Sequence, residues 1–230
     1  NARFIHTAFG LRYLRANLGD LRGRSVLVEF NIHERAVDAV EEVLAYQPKV
    51  VGVSVYIWNV EVVERFVSIL KRVRPEVVVV VGGPEVSYEL DDQPLKQLAD
   101  HVVKGQGDIV FRDLCQTVLG LGEPWPQVIS GGAVDVGAIE LPYREYTDED
   151  VAHRIMYVEA SRGCPFKCEF CLSSLDKKVN AFELAPFLAE MELLFERGVR
   201  HFKFVDRTFN LKVNTSLEIL EWLIHLTEGY

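Results

Sequence analysis

The sequence predicts an α/β protein, a doubly wound parallel sheet followed by the opening of a second series of strand–helix units. Three observations lead there. Short β-branched runs alternate with amphipathic helical patterns from residue 25 to about residue 120. Residues 77–81 are five valines in a row, a pattern suited to a strand buried on both faces. A new strand–helix alternation then begins near residue 154.

The elements follow in order. The chain opens on an amphipathic pattern with Ala8, Leu11, Leu14 and Leu18 on one face. Residues 26–30 read as a strand, and the next helix carries Ala36, Val37, Val40, Val43 and Leu44 before Pro48 stops it. Residues 50–55 read as a second strand. The helix after it presents Val63, Phe66, Val67 and Leu70, with Asn59 as its N-cap and its end before Pro75. Beyond the valine run come a short strand at 101–103 and a helix from about Asp108 to Leu119. The periodicity then fades. Val128-Ile129 and Val134 to Val136 flank Gly131-Gly132 as a short hairpin, and the acidic run Glu145 to Asp150 reads as solvated linker. Residues 155–160 form a strand that leads into a cysteine-rich loop. A helix from about Pro186 stops at Gly198, a strand follows at 201–205, and a last helix starts near Asn214. The expected organisation is an α/β domain at 1–121, a linker at 122–150 and a second unit at 151–230.

Composition narrows the function. In 230 residues, 25 Lys+Arg face 34 Asp+Glu, a net charge of −9 that argues against a general nucleic-acid or anionic-membrane surface. With 49% apolar residues the chain has ample core, and it shows no membrane-helix run and no signal-peptide start. It reads as a soluble, cytoplasmic protein that binds neither membrane nor nucleic acid.

Three of the four cysteines, Cys164, Cys168 and Cys171, lie on one short loop directly after a strand. Three thiolates so placed suit a cubane iron–sulfur cluster with one iron left open for chemistry. The competing readings are a zinc knuckle with a distant fourth ligand, for which His201 is a candidate, and a disulfide beside a free thiol. Cys115 falls with Phe111, Leu114, Val118 and Leu119 on the apolar face of a helix and reads as core. His33, His153 and His225 show no partner spacing.

The run Ser161-Arg162-Gly163-Cys164-Pro165-Phe166-Lys167-Cys168-Glu169-Phe170-Cys171 resembles the signature loop of the radical S-adenosylmethionine enzymes. That resemblance implies a 4Fe–4S cluster on Cys164, Cys168 and Cys171, with S-adenosylmethionine on the open iron and Phe170 beside its adenine. It also implies the first part of a partial (β/α) barrel with its chemistry at the carboxyl ends of the strands. Residues 204–210 resemble the second barrel strand of the cobalamin-associated branch, where Asp206 would accept from the ammonium of S-adenosylmethionine; an exposed turn or helix-capping acid is the competing reading. Arg207 departs from that branch's second Asp, and Asn210 comes one position early. The residues after Cys171 hold only one more strand and its helices, so the chain reads as a fragment.

Upstream, three Gly-rich or polar strand ends, Ser54-Val55-Tyr56, Gly82-Gly83-Pro84 and Lys104-Gly105-Gln106-Gly107-Asp108, stand where a flavodoxin-like sheet binds ligands. Together they resemble the cobalamin-binding domain of the same branch, which assigns Ser54, Tyr56, Gly82, Gly83, Gly105 and Gly107 to cobalamin. His6 is the nearest match to that domain's cobalt-ligating His. It lacks the Asp that would orient the ring, so lining the corrin or nucleotide face, or helix capping, stands beside ligation. The match also implies a strand before Asn1. The reading is a cobalamin-dependent radical S-adenosylmethionine enzyme performing radical methyl transfer or rearrangement. Its substrate would be a small molecule or peptide, its electrons from an external low-potential donor. A radical enzyme without cobalamin and a non-enzymatic metal-binding sensor are the alternatives.

Overall fold

The valine run becomes the centre of a sheet. In the computed structural model, which describes residues 1, 3–88, 90–121, 123–171 and 178–227, four strands pair in parallel in the order β1 (Val50–Ser54), β2 (Val78–Gly82), β3 (His101–Lys104) and β4 (Val128–Ser130). Alternate valines of β2 serve two cores. Val79 and Val81 join Val40, Val63, Phe66, Val67 and Leu70 on one face, while Val80 packs with Val103, Leu114 and Ile129 on the other. That division is what two layers of helices require. The first layer is α2 (Ala36–Ala45) and α3 (Val60–Val73). The second contains α6 (Asp108–Gln116), whose Phe111 ring lies so close over Gly52 that a Cβ there would meet it at 2.7 Å. The remaining helices of this part are α1 (Phe9–Ala16), α4 (Pro84–Ser87) and α5 (Leu95–Leu98). The doubly wound parallel sheet expected from the sequence is therefore present.

The chain divides into two compact units, Asn1–Val134 and Asp135–Tyr230. Within the second, β5 (Met156–Val158) pairs in parallel with β8 (Phe202–Phe204), and α8 (Leu184–Glu196) is the intervening helix. A two-residue antiparallel ladder joins β6 (Ser161–Arg162) to β7 (Asn180–Ala181). Helices α7 (Asp148–His153) and α9 (Val213–Thr227) complete the unit. Gly198, at φ +106, ends α8 as expected.

Four expectations are corrected. Residues 26–30 enter no ladder. A cavity of about 570 Å³ lies between them and β1, lined by Leu27, Glu29, Val51 and Val53, and interstrand hydrogen bonds cannot span such a gap. The segment is tied to α1 and to the residues ahead of it instead: Glu29 accepts from Arg12 Nη2 at 2.8 Å, from Asn1 Nδ2 at 2.8 Å and from Ala8 N. The Gly131-Gly132 hairpin does not form, because Val128–Ser130 pairs with β3 as the fourth parallel strand and Val136–Ala138 is a 3-10 turn. Asn59 occupies the N-cap position of α3, but its side chain makes no capping bond. The acidic run is not solvated linker. Asp150 is buried, closes a capping box with Thr147, and pairs with Arg154 at 2.9 Å.

Beside that run, two buried tyrosines take the place of a neighbouring strand. The Tyr143 hydroxyl donates to Glu159 O and accepts from Glu159 N, and the Tyr146 hydroxyl does the same for Tyr157. They satisfy backbone groups along β5 that would otherwise be buried unpaired.

Candidate cofactor sites

In the first unit the strands end along one edge, and their loops are held backbone against backbone. After β1, Asn59 turns its side chain inward: Nδ2 donates to Ser54 O at 3.0 Å and Oδ1 accepts from Tyr56 N at 2.7 Å. Burial pushes the Tyr56 phenol above its ordinary pKa, and its ring stacks on Trp58 with centroids 4.4 Å apart. After β2, Gly83 stands at φ +122, where an added Cβ would overlap Val55 O. Ser87 Oγ donates to Gly83 O at 2.8 Å and accepts from Gly105 N at 3.0 Å, joining the loops after β2 and β3. Gly105 needs glycine for its conformation, φ +81, and Gly131 after β4 presses so closely on Gln106 that a Cβ would overlap its carbonyl. Gly82 and Gly107 are less constrained, since a Cβ would meet its nearest neighbours at 3.4 and 3.5 Å. Helix α1 rests on the same edge, with Gly10 beside the Tyr56 hydroxyl and Leu14 beside Gly107. His6 lies half-buried just ahead of that helix, its backbone N donating to Arg3 O at 3.1 Å.

In the second unit the loop that leaves β5 carries the cysteines. The β6–β7 ladder closes its base, and Gly163, at φ +93, admits Lys178 O where a Cβ would overlap it. Asp206, just after β8, accepts from Ala160 N at 3.0 Å and from Ser161 Oγ at 2.7 Å. Its carboxylate thus grips the start of the cysteine loop. Cys164 is buried, Cys171 half-buried and Cys168 exposed, and none is in a disulfide. Cys171 N donates to Cys168 O at 3.1 Å. Phe170 is 95% exposed, a bare ring between two thiols. Among the described residues no three His, Cys, Asp or Glu side chains are gathered at metal-ligand spacing, so the trio shares a loop without converging. His201 stands at the amino end of β8, the end of the β5–β8 ladder opposite to that loop, which removes it as a fourth ligand.

The family described as "B12 binding domain" matches residues 1–115. The chain belongs to that B12-binding family. It is 27% identical over 207 residues to "Uncharacterized methyltransferase PH0819" of Pyrococcus horikoshii, covering 79% of this chain and 44% of that protein. It is also 27% identical over 195 residues to the cobalamin-dependent radical SAM methyltransferase TokK of Streptomyces tokunonensis, covering 72% of this chain and 28% of that one. Among solved structures, the radical S-adenosylmethionine methyltransferase TsrM of Kitasatospora setae, with cobalamin and a 4Fe–4S cluster bound, superposes with a TM-score of 0.71 over all of this chain and 50% of its own, at 17% identity. That likeness is one of fold, and it extends the expected architecture to both units. The chain spans less than half the length of these curated relatives. The resemblance to a cobalamin-binding domain drawn from the glycine-bearing strand ends is therefore borne out.

The residues of this B12-binding domain fit the cofactor. Gly83 and Gly131 let backbone pack directly on backbone, at Val55 and Gln106, which holds the loops close along the strand-end edge where such a sheet binds its ligand. The donor set of the second unit likewise fits a cluster, since iron–sulfur cubanes are held by cysteine thiolates. The sequence reading did not single out Ser87 or Asn59 as site residues or assign Gly131 to the cofactor edge. Their signal is side chain-to-backbone bonding and a backbone approach between distant loops, which no spacing rule announces.

Cys115 is outside both sites. It packs with Leu18, Leu21 and Phe111, and burial pushes its thiol from 9.0 up to about 12. At pH 8 an alkylating reagent is expected to label Cys168 rapidly and Cys115 only after unfolding, as peptide mapping would show. The sign of its pH effect follows. The folded thiol keeps its proton where the unfolded one has lost it, so this contribution to stability is intact below pH 9 and is lost as the pH climbs toward 12.

The largest helix-forming segments raise no membrane signal: among the described residues no helix is long and apolar enough to cross a bilayer.

Proposed function

We propose that the chain is the front part of a cobalamin-dependent radical S-adenosylmethionine methyltransferase working in the cytoplasm. Residues 1–121 would hold cobalamin and residues 151–230 would begin the radical-enzyme barrel. The observation that carries the reading is the joint presence of a B12-binding fold and three cysteines outside any disulfide on a loop leaving the carboxyl end of a barrel-type strand.

When bound, the 4Fe–4S cluster would pass one electron to the sulfonium, breaking it into methionine and a 5′-deoxyadenosyl radical, while cobalamin would carry the methyl group. Cys164, Cys168 and Cys171 would hold three irons. Phe170, exposed and adjacent to Cys171, offers an apolar face for the adenine. Asp206 fixes the start of the loop through Ala160 and Ser161, so its service to the ammonium of S-adenosylmethionine would be shared with that positioning task. Gly83, Gly105 and Gly131 hold the loops of the cobalamin edge together, and Ser54 and Tyr56 would line it beside Gly82 and Gly107. His6 stands at the start of α1 on the same edge. An external low-potential donor would supply the electron, and the substrate would be a small molecule or peptide.

The test uses the full-length protein, reconstituted without oxygen with iron and sulfide. It is expected to bind about four irons per chain, to release 5′-deoxyadenosine from S-adenosylmethionine under reduction, and to shift the absorbance of added cobalamin. Zinc in place of iron, with no deoxyadenosine formed, would refute the radical reading. An unshifted cobalamin spectrum would refute the cobalamin half alone.

A further inference from the structure

The turn after β8 reaches the cysteine loop at a second point, two residues beyond Asp206. Thr208 Oγ1 lies 3.4 Å from Cys164 Sγ, a hydrogen-bonding distance for an atom as large as sulfur. The turn that presents this hydroxyl is pinned. Leu211 N donates to Thr208 O at 3.3 Å, Ser216 Oγ donates to Phe209 O at 2.7 Å, and the Phe209 ring meets Phe204 edge-on at 4.7 Å. Cys164 is the most buried of the three thiols, so water is a poor substitute for the hydroxyl there. Between a thiol and an alcohol either atom could donate. A sulfur that ligates metal is a thiolate and has no proton to give, which leaves the threonine as donor.

We propose that Thr208 donates a hydrogen bond to the Cys164 thiolate and raises the reduction potential of the cluster held by this loop. The inference rests on the reading of the loop as a 4Fe–4S site. Reduction adds one electron to the cluster and increases negative charge on its sulfurs. A donor at one sulfur therefore stabilises the reduced form more than the oxidised form. No proton is transferred and no ligand is exchanged; the hydroxyl keeps its hydrogen throughout. Thr208 is a positioning and tuning residue. Its effect is to ease electron entry from the external donor.

The experiment compares wild type, Thr208→Val and Thr208→Ser in the full-length protein, reconstituted without oxygen and titrated by EPR against potential. In Thr208→Val the ratio of reduced to oxidised cluster at a fixed potential is expected to fall about three- to tenfold, equivalent to a midpoint lower by about 30–60 mV for one electron. Thr208→Ser is expected to restore the wild-type midpoint, which a merely structural role would not explain. A Thr208→Val protein with a full cluster and an unchanged midpoint overturns the proposal while leaving the cluster reading intact. A wild type without any 4Fe–4S cluster overturns both. Should Thr208→Val load no iron, the wild type in D2O decides: a deuteron coupled to the reduced cluster supports the hydrogen bond, and its absence overturns it.

Discussion

Replacing Cys168 by alanine is expected to strip the full-length protein of the 4Fe–4S cluster proposed for it while leaving the cobalamin domain folded. A cubane held by three protein thiolates loses a third of its covalent attachment when one is removed. Bound iron should fall from about four per chain to well under one, with loss of the brown charge-transfer absorbance. The fold is expected to tolerate the change, because Cys168 is exposed and free and fills no core position. A surface substitution of this kind shifts stability by about 0.5 kcal/mol or less. Cobalamin titration should be unaffected, since every residue assigned to that edge lies in Asn1–Val134. Cys115→Ala is the control: it alters the core beside Leu18 and Leu21 and should leave iron loading unchanged. Four irons retained in Cys168→Ala would end the ligand assignment.

How much of this was legible in the sequence depends on whether the signal was local. The valines at 77–81 declare a central strand because burial on both faces leaves no other use for five of them in a row, and Val79 and Val80 do face opposite cores. The cysteine loop is legible because a spacing of ligands along the chain is itself local. Residues 26–30 have the same strand character, yet their pairing depends on what lies beside them, and a cavity separates them from β1. The hairpin expected at Gly131 failed for a related reason. Its turn glycine serves the approach of the chain to Gln106, and Val128–Ser130 found a parallel partner in β3. Tyr143 and Tyr146 lie in the stretch expected to be linker, whereas their hydroxyls complete the backbone bonding of β5. Asp206 and Thr208 were read as one motif fragment. Only the folded chain separates their tasks, the first on the backbone at Ala160 and the second on the sulfur of Cys164.

Gly83→Ala is expected to be a strongly damaging change in the cobalamin half. At φ +122 and ψ 176 its backbone lies in a region that essentially only glycine occupies, and the new Cβ would also overlap the Val55 carbonyl. The obstacle is backbone, which cannot rotate aside as a side-chain tip could. Relief requires moving either the end of β2 or the loop after β1, and Val55 N is itself bonded to Gly82 O at 2.7 Å. The strain and its partial relaxation together should cost about 2–4 kcal/mol in a urea unfolding measurement. Cobalamin affinity should fall by more than stability alone explains, because Ser87 ties Gly83 O to Gly105 N and would carry the displacement into the neighbouring loop. Gly107→Ala supplies the contrast. Its Cβ has ordinary room at 3.5 Å and its φ of −97° suits any residue, so that variant should differ from wild type by less than about 1 kcal/mol. The two substitutions add the same methyl group to loops on the same edge, so a difference between them isolates backbone crowding from added bulk. Equal stability and equal cobalamin binding in the two variants would mean that the approach of Gly83 to Val55 does not shape the site.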